Sequence, residues 1–306
     1  MTRVAVVDIG TNSTRLLVAA VEDGRVTELQ RESIVARLGE GVDATGALGE
    51  EPQQRVFAAL DSYADAIERH SATVRRVVMT SAVRDASNGA QFAETVHSRY
   101  ALEGSTLSGD EEARLSFLGA TAARDDSEPL LVIDIGGGST EMIVGARGAV
   151  DFHVSTQVGV VRHSERHLHS DPPTGGELAA LGDDARSVIE ASVPDEVRRR
   201  VGAAVAVAGT ATSCAAIDLA LDPYDPARVE GHTLSAARIA EIRDRLAALP
   251  LADRRAVTGL DPARAPTIVA GTVVLLEVLG AFALDRVEVS ERDILWGVAL
   301  DSTSAR

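Results

Sequence analysis

Two short segments of this chain place acids, hydroxyls and glycines at matched spacings. VVDIGTNSTRLLV begins at Val6 and VIDIGGGSTEMIV begins at Val132, an offset of 126 residues. Asp8 matches Asp134, Gly10 matches Gly136, Ser13 matches Ser139 and Thr14 matches Thr140. Glycines let backbone N–H groups converge on an anion with no Cβ in the way, and neighbouring hydroxyls add donors. Gly136, Gly137, Gly138 and Ser139 in the second copy, with Asn12 and Ser13 in the first, are therefore candidate phosphate contacts. One glycine triplet alone is as consistent with a structural turn. Its duplication favours a two-sided phosphate clamp. A carboxylate just before such a turn would repel bound phosphate unless a cation lay between them, which points to magnesium at Asp134 and, more weakly, at Asp8. The alternative is that both Asp side chains merely bond turn amides.

The segment SGDEEARLSFLGA carries the next acids. Ser108 can cap a helix, and Glu111, three residues on, can return a bond to the cap. Glu112 is not needed for capping, so it is free to serve as the base that orients an attacking water; the competing reading is that both glutamates only favour the helix dipole. Glu141 stands where the first copy has Arg15, so one half offers an acid and the other a cation. Phosphoanhydride cleavage asks for a positioned water, charge neutralisation and a carboxylate to accept a proton, and Glu112 and Glu141 are the catalytic candidates. Arg84 and Arg162 each follow a strand-like segment, and a guanidinium fits phosphate oxygens in a bidentate way. His163, His167 and His169 cluster in HSERHLH without metal-ligand spacing and are read as surface residues.

Each copy of the repeat reads as a strand, a polar turn and a second strand, which is a hairpin rather than a strand-to-helix step. A second echo follows: VRRVVM leads through Thr80 into a helix, and AAVAVA leads through Gly209 into another. The expected architecture is two related α/β lobes, each with a mixed sheet and flanking helices, meeting at a cleft lined by the turns. The polar stretch Arg124 to Glu128 before Pro129 reads as the linker, dividing the chain into lobes 1–125 and 126–306. Helices are expected over 52–70, 89–101, 109–123, 175–191, 235–248, 266–284 and 292–301.

Composition removes several alternatives. All thirty basic residues are arginine, so no Walker A lysine, kinase strand lysine or lysine Schiff base exists. The net charge of −16 argues against general nucleic-acid binding. The single Cys214 gives no sign of an oxidising compartment, and the N-terminus lacks the long apolar region of a signal peptide, so a cytoplasmic location is expected. Ile268 to Leu284 approaches the length of a membrane span, but Glu277 in its middle and the acidic continuation mark a buried helix.

The segments DIGTNSTRLL, TSAVRDA, SGDEEARLSFLGA, DIGGGSTE, GVVR and AGTATS, in that order, resemble the Ppx/GppA family of exopolyphosphatases and guanosine pentaphosphate phosphatases over almost the whole chain. The resemblance implies a duplicated ribonuclease-H-like fold of the actin-like ATPase type. It places the catalytic glutamate on Glu112, the second acid on Glu141 and the magnesium-associated aspartate on Asp134, with Mg2+ or Mn2+ as cofactor. Phosphate contacts fall on Asn12, Ser13, Arg84, Gly136, Gly137, Gly138 and Ser139. The implied substrate is polyphosphate or guanosine pentaphosphate, with no nucleic-acid or membrane partner, and a homodimer is the family expectation. The chain ends after the second lobe, without the added helical domains of long family members. Two rival functions share the fold: a phosphotransferase with ATP as donor, and a nucleotide-binding regulator without turnover.

Overall fold

The computed structural model describes residues 1–124 and 127–304. Asp125 and Asp126, the middle of the expected linker, lie outside the described residues. The chain divides into two compact units, Met1–Ala122 with Asp293–Arg306, and Ala123–Arg292.

The first unit is built on a five-stranded sheet of β1 (Thr2–Ile9), β2 (Thr14–Glu22), β3 (Arg25–Ile34), β4 (Val74–Met79) and β5 (Glu103–Thr106), in the order β3-β2-β1-β4-β5. β1, β2 and β3 form an antiparallel meander, while β4 and β5 run parallel to β1. β1 is apolar from Val4 to Val7 because both of its faces are covered there. Ala5, Val7 and Ile9 point into a core with Val56, Leu60, Phe92 and Val96 of the Glu50–Arg69 and Gly89–Tyr100 helices. Val4 and Val6 point the other way, onto Leu115 of the Gly109–Thr121 helix and Leu295, Trp296 and Val298 of the Ile294–Ser304 helix. Period-two alternation along one strand thus feeds two cores.

The second unit carries β6 (Leu130–Ile135), β7 (Thr140–Ala146), β8 (Ala149–Thr156), β9 (Ala203–Val207), β10 (Thr233–Ser235) and β11 (Arg286–Val289). Their order is β10-β11-β9-β6-β7-β8, again an antiparallel meander of three with parallel β9 and β11 added beside the first strand, and β10 antiparallel at the edge. This is the first unit's order repeated with one further strand, the duplicated ribonuclease-H-like arrangement. Its core joins Leu131, Ile133 and Ile135 to the helices Gly175–Ser192, Ala208–Asp218, Ala236–Ala247 and Ile268–Ala281. The apolar Ile268–Ala281 helix is buried in this core, with Glu277 gripped by Arg186 through two bonds of 2.8 and 3.1 Å. Among the described residues no helix is long and apolar enough to cross a membrane.

The observed division departs from 1–125 and 126–306 at the C-terminus, where the last helix joins the first unit. The reason is close helix packing. A Cβ on Gly119 would lie 1.8 Å from the Asp293 carbonyl oxygen, and one on Gly297 would lie 1.9 Å from that of Leu115. Only glycine permits this approach, so the two helices lock together over the β1 face.

Candidate functional site

The first unit's turn, Gly10 to Ser13, is closed by Gly10 N–H donating to the Ser13 carbonyl at 3.0 Å. The loop after β3 pins it from outside, Arg37 N–H on the Asn12 carbonyl and Gly39 N–H on that of Thr11, both at 2.8 Å. Thr11 ties the turn to the Ser81–Asp85 helix: its Oγ1 lies 2.8 Å from Ser81 Oγ and accepts from Ala82 N–H at 3.2 Å. That helix carries Arg84, whose Nη1 donates to the Leu107 carbonyl at 3.0 Å and to Glu112 Oε2 at 2.9 Å. Glu112 is 7% exposed, on the first turn of the Gly109–Thr121 helix. Ser108 and Glu111 form the expected capping box, with Ser108 N–H on Glu111 Oε2 at 2.9 Å and Glu111 N–H on Ser108 Oγ at 3.2 Å. The Ser108 N–H, and then the Ser108 hydroxyl donating to Glu111 Oε2 at 2.9 Å, hold the Glu111 carboxyl below its ordinary pKa. Glu112 is accordingly left out of capping. Turn, Arg84 and Glu112 are thus joined by one chain of short contacts within the unit.

The base of the same hairpin holds a pair of ion bridges that sequence reasoning did not foresee. Asp8 and Arg15 are register partners on β1 and β2. Arg15 donates from Nε and Nη2 to Asp8 Oδ2 at 2.9 and 2.5 Å, and from Nη1 to Asp293 Oδ2. Burial pushes the Asp8 carboxyl above its usual pKa, with Arg15 pulling the other way. Asp293 is 278 positions away in sequence, so no local signal marks it. Among the described residues, Asp8 Oδ1, Asn12 Oδ1, Ser13 Oγ and Thr14 Oγ1 are buried without hydrogen-bond partners. Leaving such an atom unpaired costs about 1–3 kcal/mol; two of these lie in the turn and one on each flanking strand, a grouping that a bound ligand could complete. The hydroxyls suit phosphate oxygens, and the bare carboxylate oxygen suits a hard cation.

In the second unit, Gly136 N–H donates to the Ser139 carbonyl at 2.9 Å, closing the equivalent turn. Asp134 and Glu141 are direct register partners on β6 and β7, 8% and 1% exposed. Residues directly opposite have Cβ atoms about 4.5–5.5 Å apart and share a face, and like charges there are destabilising. Glu141 Oε1 accepts from Ser155 Oγ at 2.7 Å. An all-oxygen pair of carboxylates beside a glycine turn is a donor set that fits Mg2+ or Mn2+. The Asp8–Arg15 and Asp134–Glu141 pairs occupy matching rungs, so the acid-versus-cation inequality read from the repeat is built into the pairing itself.

The glycine turn rests on the Val160–His167 helix. Val160 N–H donates to the Gly136 carbonyl at 3.0 Å, Val161 and Arg162 N–H to that of Gly137 at 2.8 and 3.3 Å, and Arg162 Nε to that of Gly138 at 3.0 Å. Arg162 therefore holds the loop's backbone through Nε. A Cβ on Gly159 would sit 2.3 Å from the Gly138 carbonyl carbon, which is why glycine stands there. His163, read as a surface residue, is 1% exposed on this helix. Its burial follows from lying one turn in from Gly159, on the face turned to the core.

Residues 17–305 match the model of the Ppx/GppA phosphatase family. The chain belongs to that family. Exopolyphosphatase 2 of Mycobacterium tuberculosis is 38% identical over 98% of both chains. Guanosine-5'-triphosphate,3'-diphosphate pyrophosphatase of Pseudoalteromonas atlantica is 28% identical over 94% of this chain and 56% of its own length. Among solved structures, an exopolyphosphatase-like protein superposes with a TM-score of 0.92 at 33% identity, covering 98% of this chain and 97% of that one. The Aquifex aeolicus Ppx/GppA family member gives 0.83 at 28% identity, over 99% and 98%.

Proposed function

We propose that this chain is a metal-assisted phosphoanhydride hydrolase that removes terminal phosphates from inorganic polyphosphate, short chains foremost, or from guanosine pentaphosphate. The observation that carries this reading is Glu112, buried, anchored by Arg84, and released from capping because Glu111 takes that role. Relatives named for both activities support the same substrate class.

In this mechanism the second unit offers the Gly137 and Gly138 N–H groups and the Ser139 hydroxyl to phosphate oxygens, on a turn that the Gly136 N–H closes; the first unit offers Asn12, Ser13 and Arg84 as phosphate contacts. Asp134 and Glu141 would hold a Mg2+ or Mn2+ ion, which neutralises charge on the phosphate when bound. Glu112 orients a water and accepts its proton as the water oxygen attacks the terminal phosphorus. The phosphoanhydride bond breaks, and its electron pair leaves with the shortened substrate. Arg84 fixes the carboxylate through its 2.9 Å bond, so the base is positioned before substrate arrives.

The test is a phosphate-release panel over polyphosphates of defined length, guanosine pentaphosphate and ATP, with Mg2+, Mn2+ or EDTA. Release without any acceptor, abolished by EDTA and restored by metal, is expected. Transfer that requires an acceptor would make the chain a phosphotransferase, and full turnover in EDTA would remove the metal from the account.

A further inference from the structure

One cluster in the second unit has no part in this chemistry. His163 and His167 lie one helical turn apart on Val160–His167, so their rings share a face, with centroids 5.7 Å apart. Asp184 stands on the adjacent Gly175–Ser192 helix. One ligand atom from each of the three lies within 4.8 Å of the others. His167 Nε2 is 2.9 Å from Asp184 Oδ2, and His163 Nε2 is 3.5 Å from the same oxygen. Tetrahedral coordination with bonds of about 2.0–2.1 Å has ligand-to-ligand edges of roughly 3.3 Å. The two observed separations bracket that edge.

A second observation is independent of the spacing. His163 is 1% exposed, and among the described residues its Nε2, aimed at this cluster, has no hydrogen-bond partner. A buried ring nitrogen left in this way carries a desolvation cost that a ligand would remove.

We propose that His163, His167 and Asp184 bind a borderline divalent transition ion, Zn2+ foremost. Two imidazoles and one carboxylate are a donor set for Zn2+ rather than for Mg2+, whose sites are built from oxygen. Three protein ligands leave one position for solvent. Binding through Nε2 moves each ring proton to Nδ1; at His163 this gives up the contact from Gly159 N–H, already long at 3.3 Å. The ion would act as a brace. The helix it ties to Asp184 is the one whose N–H groups and Arg162 hold the Gly136–Gly138 carbonyls, so metal occupancy stiffens the platform beneath the phosphate loop.

The experiment strips the full-length protein with EDTA and removes the chelator. Co2+ is then titrated with its visible absorption as the readout, and Zn2+ by calorimetry, both in excess Mg2+. The account expects one equivalent bound, intense tetrahedral Co2+ bands displaced by Zn2+, and a rise in Tm on loading. His167→Gln and Asp184→Asn alter part-exposed side chains, and His163→Leu keeps the buried volume apolar. Each should weaken Zn2+ at least as much as the roughly 10- to 100-fold that losing an outer-shell partner costs, and should abolish the Tm rise. Absence of binding by the native chain overturns the proposal. So does binding that Mg2+ displaces, or that survives all three substitutions.

Discussion

Glu112→Gln keeps the size of the side chain and an oxygen for Arg84 while removing proton acceptance. Loss of a general base costs about 10² to 10⁴ in rate, or roughly 3–5 kcal/mol of barrier. The folded state loses far less. Arg84 keeps its 3.0 Å bond to the Leu107 carbonyl, and its 2.9 Å bond to residue 112 changes from charged to neutral. That difference is about 1 kcal/mol, or roughly 1–2 °C in Tm for a chain of this size. Glu111→Gln is the matched control, because glutamine can still accept from Ser108 N–H and complete the capping box. Initial rates of phosphate release at saturating substrate, with calorimetric Tm, separate the two effects. The reasoning predicts a steep fall in kcat for Glu112→Gln with substrate binding retained, and near-native turnover for Glu111→Gln. An active Glu112→Gln beside an inactive Glu111→Gln would refute the assignment of the base.

Three further outcomes follow from contacts within single units. Arg15→Met leaves Asp8 and Asp293, both nearly buried, without their shared cation, and should cost about 3–5 kcal/mol in denaturant unfolding; Arg15→Lys, lacking the planar fork, should fall between. Gly159→Ala drives a methyl into the Gly137–Gly138 backbone, so it should destabilise by about 1–3 kcal/mol and raise KM for the phosphate substrate. The Glu111 carboxyl is held below its ordinary 4.5 by Ser108, so its stabilisation is complete above that value and is lost as pH falls below it. Unfolding curves from pH 6 to 3 should show a shallower acid decline for Glu111→Gln than for the native chain.

The parts of the fold legible in sequence were those whose signal is local. The duplicated hairpins declare themselves because β1, β2, β6 and β7 are apolar runs broken by Gly/Ser/Thr turns, and the Ser108 to Glu111 spacing declares its cap. The third strands were not legible. RVTELQRESI and AVDFHVST lie at sheet edges, where exposure dilutes the apolar alternation into sequences that read as loop. The Val160–His167 helix is short and mostly polar, and its N-terminal donors find their acceptors in Gly136 and Gly137, more than twenty residues earlier. The docking of Ile294–Ser304 on the first unit rests on Gly119 meeting Gly297, a pairing that neither glycine announces alone. At the candidate site, residue types and the 126-residue offset reveal the acids and the matched turns. They do not reveal that Arg15 bridges to Asp293, because that bond exists only once the last helix has folded back.

The measurement closest to the central claim is turnover of a short polyphosphate and of guanosine pentaphosphate in water enriched in 18O, with Mg2+ present and no acceptor added. Direct attack by water on the terminal phosphorus predicts one solvent oxygen in each orthophosphate at its release, with labelled product from Glu112→Gln falling by the same about 10² to 10⁴ as its turnover. Orthophosphate released without solvent oxygen, or release only when an acceptor is supplied, would contradict hydrolysis by this chain.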